Sequence, residues 1–378
     1  MKIVLKLLVG ILNLIYVFFR LLPVQNKVTF ISRQANDKTE DIDMLGKELK
    51  EQRPDLKVVY LCKKLEGSLL QKIGYCFHMF TQMYHIATSK VVILDSYCIC
   101  VSVLKQRDSL VVIQMWHALG SLKKFGLSIV GEGEGSSKDI ADVMSMHKGY
   151  TYVLTSSDAC LPNFAEAFGY SNDLSKMKVM SLPRVDKLTD TIIKEETKNR
   201  IYQRYPEFGD KKVVVYAPTF RKNLDISVEI DNLARHFNGE KYVFVLKKHP
   251  LMNVDCNYAM VEQEFTTLEM LYVADYVICD YSAVIYEAAI LKKPLFFYTF
   301  DYDSYGVDRD FYIDYNSEMP GVIEQNPEYL ASAIKREEYD LERVEAFAYK
   351  YVSKQTGCTQ ELSKFIIDSI ERKKYASR

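Results

Sequence analysis

Glycine, proline and net charge are all scarce in this sequence. Its 378 residues include 16 glycines and 10 prolines, whereas 48% of them are hydrophobic and 12% aromatic. This composition excludes collagen-like, low-complexity and disordered chains, and it supplies enough apolar material for sizeable cores. Lysine and arginine number 49 against 50 acidic residues, which leaves a formal charge of −1. The chain as a whole is therefore not a binder of nucleic acid or other polyanions, and any basic surface must be local.

Several common catalytic and metal-binding motifs are also absent. The sequence contains no GxGxxG, no GxxxxGK[ST] and no HExxH, which argues against a dinucleotide dehydrogenase, a P-loop NTPase and a zinc site of that type. None of the eight cysteines forms a CxxC pair, and Cys98 and Cys100 are too close for a usual zinc half-site. We expect reduced, mostly buried thiols in a cytosolic protein. We also expect no metal site and no required cofactor, although a divalent cation such as Mg²⁺ is compatible with the sequence.

An apolar segment begins the sequence, from Lys2 to Leu22, interrupted only by Lys6, Asn13 and Arg20. It leads straight into a strand-like run without the small-residue cleavage site of a secretory signal peptide. A spanning helix needs ~20 apolar residues, and the charges make this one marginal. We predict a peripheral helix at the cytoplasmic side of the cell membrane, its basic residues meeting anionic head groups. The alternative is a first helix packed on the protein's own core.

Short β-branched runs alternate with stretches long enough for helices, in two series. The first series has strands at 27–32, 57–61, 91–94, 110–115 and 152–155, with helices over stretches such as 41–51 and 67–87. The second has strands at 212–217, 242–247, 276–279 and 294–298. It follows a polar stretch at 195–209, which looks like a linker with a short helix. Apolar strands alternating with helices indicate parallel sheets covered on both faces. We predict an α/β protein with a membrane-associating helix (1–25) and two Rossmann-like domains (26–194 and 195–378) that face a cleft.

The first candidate site follows the strand at 110–115, where the sequence reads WHALGSLKK. A histidine at the carboxyl end of a strand faces the crevice in which open α/β sheets bind ligands, and it titrates near neutral pH. His117 is therefore a candidate base for removing a proton from a hydroxyl. Gly120 and Ser121 can offer backbone donors to phosphate, and Lys123 and Lys124 can supply positive charge. The alternative is a structural histidine in an ordinary strand–loop–helix connection.

Three further motifs stand at strand ends in the second series. Thr219 and Arg221, within YAPTFR, suit phosphate oxygens. The cluster KKHP at 247–250 collects cationic donors for a pyrophosphate. Within DYSAVIYEAA, Ser282 begins a helix whose first amides favour an anion, and Glu287, about one and a half turns further on, suits a ribose diol. The alternatives are an exposed turn, a solvated basic turn and a simple helix cap.

Taken in order, the segments WHALGSLKK, SLPRVD, YAPTFR, KKHP, DYSAVIYEAA and FFYTFDYDSYGVDRDFYIDY resemble the CDP-glycerol glycerophosphotransferase family of teichoic acid and related capsule synthesis. The resemblance extends from about residue 26 to residue 315. It implies a GT-B fold, with CDP-alditol in the C-terminal domain and an acceptor that enters beside the N-terminal one. It also implies transfer of a polyol phosphate to an acceptor hydroxyl with release of CMP.

The resemblance also implies roles for individual residues. His117 matches the catalytic base, and His249 is expected to act with it by stabilising charge on the phosphates. The residues expected to contact CDP-alditol are Trp116, His117, Ala118, Gly120, Ser121, Arg184, Pro218, Thr219, Arg221, Lys247, Lys248, His249, Asp280, Ser282, Ala283 and Glu287. Most family members read Trp-His-Gly-Thr where this chain has Ala118, and they carry Ser and Asp where it has Ala283 and Glu287. These departures leave the polyol and the acceptor open.

The expected partners are CDP-glycerol or CDP-ribitol, a lipid-linked saccharide or polyol-phosphate acceptor, and the membrane surface, with a homo-oligomer also possible. Ribitol phosphate is as admissible a cargo as glycerol phosphate, and the sequence does not choose between a primase and a polymerase. A sugar-transferring GT-B enzyme would share the architecture. A non-catalytic, membrane-bound subunit of a teichoic acid complex is the alternative from a different class.

Overall fold

The structure, a computed structural model, describes residues 2–65, 69–133, 135–222, 224–308 and 310–376. The chain divides into two compact units. Unit 1 comprises Met1–Ala118, Lys124–Arg184 and Gly357–Arg378, and unit 2 comprises Leu119–Lys123 and Val185–Thr356. Each unit contains one six-stranded sheet. The predicted α/β class is confirmed.

Unit 1 is built around a sheet with the strand order β2-β1-β3-β4-β5-β6, in which all neighbouring strands are parallel. Its strands are β1 (Lys27–Ser32), β2 (Lys57–Cys62), β3 (Val91–Leu94), β4 (Val111–Gln114), β5 (Tyr152–Thr155) and β6 (Met177–Val179). Its helices are α1 (Lys2–Arg20), α2 (Glu40–Gln52), α3 (Leu69–Thr88), α4 (Ile99–Val103), α5 (Lys138–Val143), α6 (Leu161–Phe168) and, near the end of the chain, α16 (Cys358–Ala376). Every residue of β3 and β4 is buried, which explains why these strands are apolar runs rather than alternating ones.

Unit 2 repeats this plan with the strand order β12-β11-β10-β7-β8-β9, again parallel throughout. Its strands are β7 (Lys212–Tyr216), β8 (Tyr242–Leu246), β9 (Met260–Val261), β10 (Tyr276–Cys279), β11 (Leu295–Tyr298) and β12 (Val322–Glu324). Its helices are α7 (Arg184–Thr189, which begins at the last residue of the middle segment of unit 1), α8 (Thr191–Arg204), α9 (Ser227–Ala234), α10 (Thr267–Val273), α11 (Val284–Ile290), α12 (Tyr302–Asp308), α13 (Tyr315–Glu318), α14 (Pro327–Lys335) and α15 (Leu341–Tyr351).

In each sheet the order in which successive strands are added reverses at one strand, so that later strands lie on the opposite side of it. β1 lies between β2 and β3 in unit 1, and β7 lies between β8 and β10 in unit 2. Open α/β sheets bind ligands at the carboxyl ends of strands beside such a point. The loops after β1, β3 and β4 meet at this edge of unit 1, and the loops after β7, β8 and β10 meet at this edge of unit 2. The four candidate motifs leave the sheets there.

The structure differs from the sequence-based organisation in three places. The stretch 195–209, interpreted as a linker with a short helix, lies mostly in the longer, 14-residue helix α8, which packs on α10. The two units also divide at Arg184 rather than at 194. Helix α16 belongs to unit 1, where the ring centroids of Phe365 and Tyr152 are 5.1 Å apart. Finally, β6, β9 and β12 were not predicted, because strands of two or three residues at or near sheet edges are too short to show a pattern. Residues 67 and 68, where a helix was predicted to begin, lie outside the described residues.

Helix α1 packs on unit 1 through its polar side. Asn13 donates to the carbonyl of Val103 at 2.8 Å, and the hydroxyl of Tyr16 donates to Gln106 at 2.6 Å. The outward side is apolar, and more than half of the surface is exposed in each of Ile3, Leu7, Ile11, Leu14, Phe18 and Leu21. By length and composition alone the helix could cross a membrane, since its apolar stretch of 18 residues has a mean hydropathy of 2.1 and only 6% of that stretch is buried. This orientation is the reverse of a helix that packs its apolar side on a core.

Candidate active site

His117 lies just beyond β4, and its ring is held by the loop after β3. Nδ1 is 2.8 Å from the carbonyl oxygen of Asp95 and 3.1 Å from the side-chain amide of Gln34. Because a carbonyl oxygen can only accept, the shorter of the two contacts, with Asp95, assigns the ring proton to Nδ1. Nε2 then carries the lone pair. This tautomer suits a base.

The surroundings of His117 keep its ring neutral. Burial lowers the pKa of His117 below its usual value, and the Arg184 guanidinium acts in the same direction. The hydrogen bond to Asp95 and the carboxylate of Asp41 oppose this effect. At neutral pH the imidazole is therefore able to accept a proton.

Arg184 supports the backbone at His117. Its Nη2 donates to the carbonyl oxygen of His117 at 3.2 Å, and its Nε donates to the buried carboxylate of Asp41 at 2.8 Å. Its backbone N–H donates to the same carboxylate at 2.7 Å. Through Arg184, these contacts connect α2 with the His117 loop within unit 1. The predicted contact of Arg184 with the donor stays a prediction.

Trp116 enters the loop in a strained backbone conformation. Its φ of 62° lies in the left-handed region, which is costly for a bulky side chain. Its backbone N–H donates to the side-chain oxygen of Gln114 at 3.0 Å, and its ring stacks on Phe125 with a centroid distance of 5.1 Å. The ring of Phe168 meets it edge-on at 5.2 Å. This packing fixes the turn that presents His117, while Ala118 stays partly exposed.

Gly120 and Ser121 belong to unit 2 and are buried. A Cβ on Gly120 would lie 2.3 Å from the ring of Tyr286, so close packing against α11 explains the glycine. Both residues are folded into the packing of unit 2, and the predicted contact of their backbone donors with phosphate stays a prediction.

The motif YAPTFR is organised around two buried carboxylates. Arg221 donates through Nη1 to Asp280, and through Nε and Nη2 to both oxygens of Asp301, each at 3.0 Å. Thr219 donates to Asp280 through its hydroxyl at 2.7 Å and through its backbone N–H at 2.9 Å. Pro218 is buried in the same turn. The side chain of Arg221 is 6% exposed, and its fork, predicted to bind phosphate, is occupied by protein carboxylates.

Lys247 is likewise paired inside unit 2. Its ammonium donates to the carboxylate of Glu262 at 2.6 Å and to the carbonyl of Phe265 at 2.5 Å. Its side chain is 6% exposed, whereas Lys248 is partly exposed and donates to the carbonyl of Met252 at 2.8 Å. The charge of Lys247 is thus paired within unit 2, and its predicted contact with the donor stays a prediction.

His249 is exposed, and its tautomer is the opposite of that of His117. Its Nδ1 accepts the backbone N–H of Leu251 at 3.2 Å, which leaves the proton of the neutral ring on Nε2. The ring stacks on Phe220 with a centroid distance of 5.4 Å. His249 thus presents a donor where His117 presents an acceptor.

The start of α11 is open at its first residues. Ala283 is exposed and precedes the helix without a side-chain cap, and Ser282 is partly exposed. Glu287 is only 5% exposed and packs within the helix. This burial shows that Glu287 belongs to the core of unit 2. The hydrogen bond from Glu287 to a ribose stays a prediction.

A cavity of about 380 Å³ opens in unit 2 at the KKHP segment, which follows β8. Its lining comprises Lys247, Lys248 and Pro250 together with the segment from Glu262 to Thr267. This segment was not predicted to be functional. The capping box of Thr266 and Glu269, which begins α10, was the available signal for a fixed loop there. Within the described ranges, no group of three or more His, Cys, Asp or Glu is arranged to hold a metal ion.

Comparison with known proteins places this geometry in a family. The profile described as CDP-Glycerol:Poly(glycerophosphate) glycerophosphotransferase matches residues 14–367. The chain belongs to this glycerophosphotransferase family. The resemblance carried by the six motifs is confirmed, and so is the predicted class of enzyme, a transferase of teichoic acid synthesis.

Relatives of this glycerophosphotransferase family member differ in the alditol they are named for. A teichoic acid ribitol-phosphate primase of Bacillus spizizenii is 32% identical over 90% of each chain. A teichoic acid poly(ribitol-phosphate) polymerase of the same organism is 32% identical over 97% of this chain, which spans 59% of the polymerase. A teichoic acid glycerol-phosphate primase of Bacillus subtilis is 31% identical over 76% of each chain.

Solved structures share the fold of this glycerophosphotransferase family member. The wall teichoic acid polymerase TagF is 20% identical, with a TM-score of 0.75 over 97% of both chains. A UDP-GlcNAc 2-epimerase from Neisseria meningitidis is 13% identical, with a TM-score of 0.59 over 90% of this chain and 100% of its own. At these identities the likeness concerns the fold alone.

Proposed function

We propose that the protein transfers an alditol phosphate from a CDP-alditol to a hydroxyl of a lipid-linked, membrane-bound acceptor, with release of CMP. The observation that carries the proposal is the 2.8 Å contact between His117 Nδ1 and the carbonyl oxygen of Asp95. It fixes the ring proton on Nδ1, and the lowered pKa of His117 leaves Nε2 unprotonated. The attack of a hydroxyl on phosphorus requires a base in that state.

The proposed reaction is a single displacement at phosphorus. The acceptor oxygen forms a bond to the phosphorus that carries the alditol, and the bond from that phosphorus to the bridging oxygen of CMP breaks. His117 Nε2 takes the proton of the hydroxyl, and the electron pair of the broken bond leaves with CMP. Because phosphoryl transfer depends mainly on positioning and electrostatics, the contacts of Arg184 that fix the His117 backbone contribute by holding the base in place.

We assign the donor to unit 2. His249 keeps a proton on Nε2 and so can donate to a phosphate oxygen, and the partly exposed Lys248 adds positive charge. The partly exposed Ser282 and the exposed Ala283, just before α11, are further candidate contacts for the donor. Arg221 and Lys247 are left out of the phosphate contacts, because buried carboxylates already hold their charges. The 380 Å³ cavity beside Lys248 is assigned to the nucleoside.

A GT-B arrangement, in which the two units face a cleft, would bring acceptor and donor together. The likeness in fold to TagF and to the epimerase supports this arrangement. Both histidines also follow strands at the ligand-binding edges of their own sheets.

Ribitol phosphate is the second candidate cargo beside glycerol phosphate. The two relatives named for ribitol phosphate match over 90% and 97% of this chain, against 76% for the glycerol-phosphate primase of Bacillus subtilis. The family description names glycerol phosphate. The two donors therefore have to be compared directly on the purified protein.

The deciding experiment supplies CDP-glycerol or CDP-ribitol with a lipid-linked disaccharide and follows CMP release and the mass of the lipid product. We expect one unit or a series of alditol-phosphate units from one donor, and a loss of turnover of about 10²–10⁴-fold in His117→Ala. His236→Ala, a partly exposed histidine outside the motifs, is the matched control. CMP release with neither donor contradicts the proposed reaction and favours a sugar donor or a non-catalytic subunit. Retained turnover in His117→Ala contradicts the assignment of His117 as the base.

We further propose peripheral attachment at the cytoplasmic side of the cell membrane through α1. The outward apolar side of this helix supports the proposal, together with Lys6, which is exposed beside it. Deletion of residues 2–22 should abolish partition into membranes and spare CDP-alditol binding, which calorimetry measures. Extraction only by detergent would instead indicate a spanning helix.

A further inference from the structure

A group of nitrogen donors lies in unit 1, where β1 and β2 end beside helix α3. Arg33 directly follows β1, Lys63 directly follows β2, and His78 lies in α3. The guanidinium of Arg33 is 5.9 Å from the ring of Tyr75, and that ring is 5.7 Å from the ring of His78. The ammonium of Lys63 donates to the carbonyl of Gly74, about one turn before His78, at 3.2 Å. Arg33, Lys63 and His78, here called the α3 donor cluster, therefore lie around one turn of α3.

Two nitrogens of the α3 donor cluster are buried and, among the described residues, have no hydrogen-bond partner: Nε of Arg33 and Nε2 of His78. Nor does any carboxylate in the described part of the chain form an ion pair with Arg33 or Lys63. Arg221 and Lys247, by contrast, are held by buried carboxylates. Buried donors without acceptors cost free energy, and in native proteins they commonly face water or a ligand. The α3 donor cluster thus has both hydrogen bonds and charge to offer an anion.

We propose that the α3 donor cluster binds a phosphate group of the acceptor. All three residues are partly exposed, so a small anion can reach them. Arg33 and Lys63 supply positive charge. The His78 ring supplies a neutral N–H, because burial and the charge of Lys63 lower the pKa of His78. A phosphate offers several acceptor oxygens, which suits donors that come from three different elements.

The cluster is tied to the loop that holds the candidate base. The backbone N–H of Arg33 donates to Oγ of Ser96 at 3.0 Å, and its Nη1 donates to the carbonyl of Tyr97 at 3.1 Å. Asp95, the preceding residue of that loop, supplies the carbonyl oxygen 2.8 Å from His117 Nδ1. A phosphate bound at the cluster is therefore positioned relative to His117 within unit 1, which directs a hydroxyl of the same acceptor toward the base. The inference rests on the proposed function in taking this ligand to be the acceptor.

Phosphate has two possible sources in such an acceptor. One is the phosphate that joins the saccharide to the lipid, and the other is an alditol phosphate unit that is already attached. Three soluble probes with the same disaccharide on a short alkyl chain separate these sources. The first carries a phosphate between the saccharide and the alkyl chain, the second carries a terminal glycerol phosphate instead, and the third is neutral throughout.

The test measures the Kd of each probe for the full chain by calorimetry, without a CDP-alditol. We expect at least one charged probe to bind roughly tenfold or more tightly than the neutral probe, because charge-assisted hydrogen bonds hold the phosphate. Lys63→Met and Arg33→Gln should remove most of this advantage, whereas Lys63→Arg should retain most of it. Lys57→Met is the matched control, since Lys57 is an exposed lysine at the opposite end of β2, and it should bind as the wild type does.

The melting temperature is measured on the same variants, and binding is measured well below it so that a loss of stability does not imitate a loss of binding. Equal affinity for all three probes, or an advantage of the charged probes that persists in Lys63→Met and Arg33→Gln, overturns the inference. If turnover is normal, that result leaves the proposed reaction intact. If CMP is released with neither donor while the charged probes still depend on Arg33 and Lys63, the proposed reaction fails and the phosphate site stands.

Discussion

Asp95 should destabilise the folded protein at neutral pH, and Asp95→Asn should reveal this. The residue follows β3 and is only 2% exposed, and neither carboxylate oxygen has a hydrogen-bond partner of ordinary geometry among the described residues. Burial raises the pKa of Asp95 from 3.8 to about 6, although the nearby hydroxyls of Ser32 and Ser96 oppose the rise. The carboxyl group is therefore ionised at pH 7.5 in a site that favours its protonated form.

The size of the effect follows from this shift in pKa. A raised folded-state pKa contributes stability below pH 3.8, and this contribution is lost as the pH rises through 6. A shift of about two units corresponds to about 3 kcal/mol at pH 7.5. Asparagine keeps the shape without the charge, so Asp95→Asn should raise the free energy of unfolding by up to about 3 kcal/mol at pH 7.5. Near pH 4 the gain should be much smaller.

Thermal unfolding of both proteins at pH 7.5 and pH 4.5 tests the prediction. The melting temperature should rise by roughly 5–10 °C at the higher pH, whereas Asp158→Asn, an exposed control in the same unit, should leave it unchanged. Turnover should fall, because strongly perturbed groups beside a candidate base are commonly functional. A destabilised Asp95→Asn at pH 7.5, or an equal gain at both pH values, would refute the reasoning.

Three further variants test the packing of the site. Arg221→Ala should lower the free energy of unfolding by about 3–5 kcal/mol, because it leaves two carboxylates buried without a cation. Thermal unfolding measures the loss, with the exposed Arg336→Ala as the control. An unchanged melting temperature together with weaker CDP-alditol binding would instead assign Arg221 to phosphate. Gly120→Ala should cost about 1–3 kcal/mol through its clash with the ring of Tyr286, and chemical denaturation that detects no loss would contradict this. Burial lowers the pKa of Lys27 to about 8, so at pH 7 its charged form destabilises the folded protein. Lys27→Met should therefore raise the melting temperature at pH 7 and raise it much less at pH 10. An equal rise at both pH values would count against this prediction.

The two histidines show what the site adds to its motifs. A histidine at a strand end was visible in the sequence at both positions. Their opposite tautomers depend on the carbonyl of Asp95 and on the backbone N–H of Leu251, which are supplied by the folded loops. Chemistry that needs one acceptor and one donor is therefore set by backbone geometry rather than by the choice of side chain.

The sequence by itself determined the α/β class, most of the strands and the family. Buried parallel strands must be apolar along their whole length, so runs such as VVIL in β3 are visible without any tertiary information. Polar motifs follow such runs because ligands bind at the carboxyl ends of strands. The order of six such motifs along one chain was enough to identify the family.

Tertiary structure alone decided which cations are available and which way α1 faces. Arg221 and Lys247 belong to phosphate-binding patterns, yet Asp301 and Glu262, 80 and 15 residues further along the chain, hold their charges in the interior of unit 2. The sequence does not show which side chain will pair with a given cation. Once the cation is buried it must be paired, because an unpaired charge in the interior costs far more free energy than an exposed one. In α1, periodicity gives an amphipathic helix, but only its contacts with Val103 and Gln106 show that the polar side is the one turned inward.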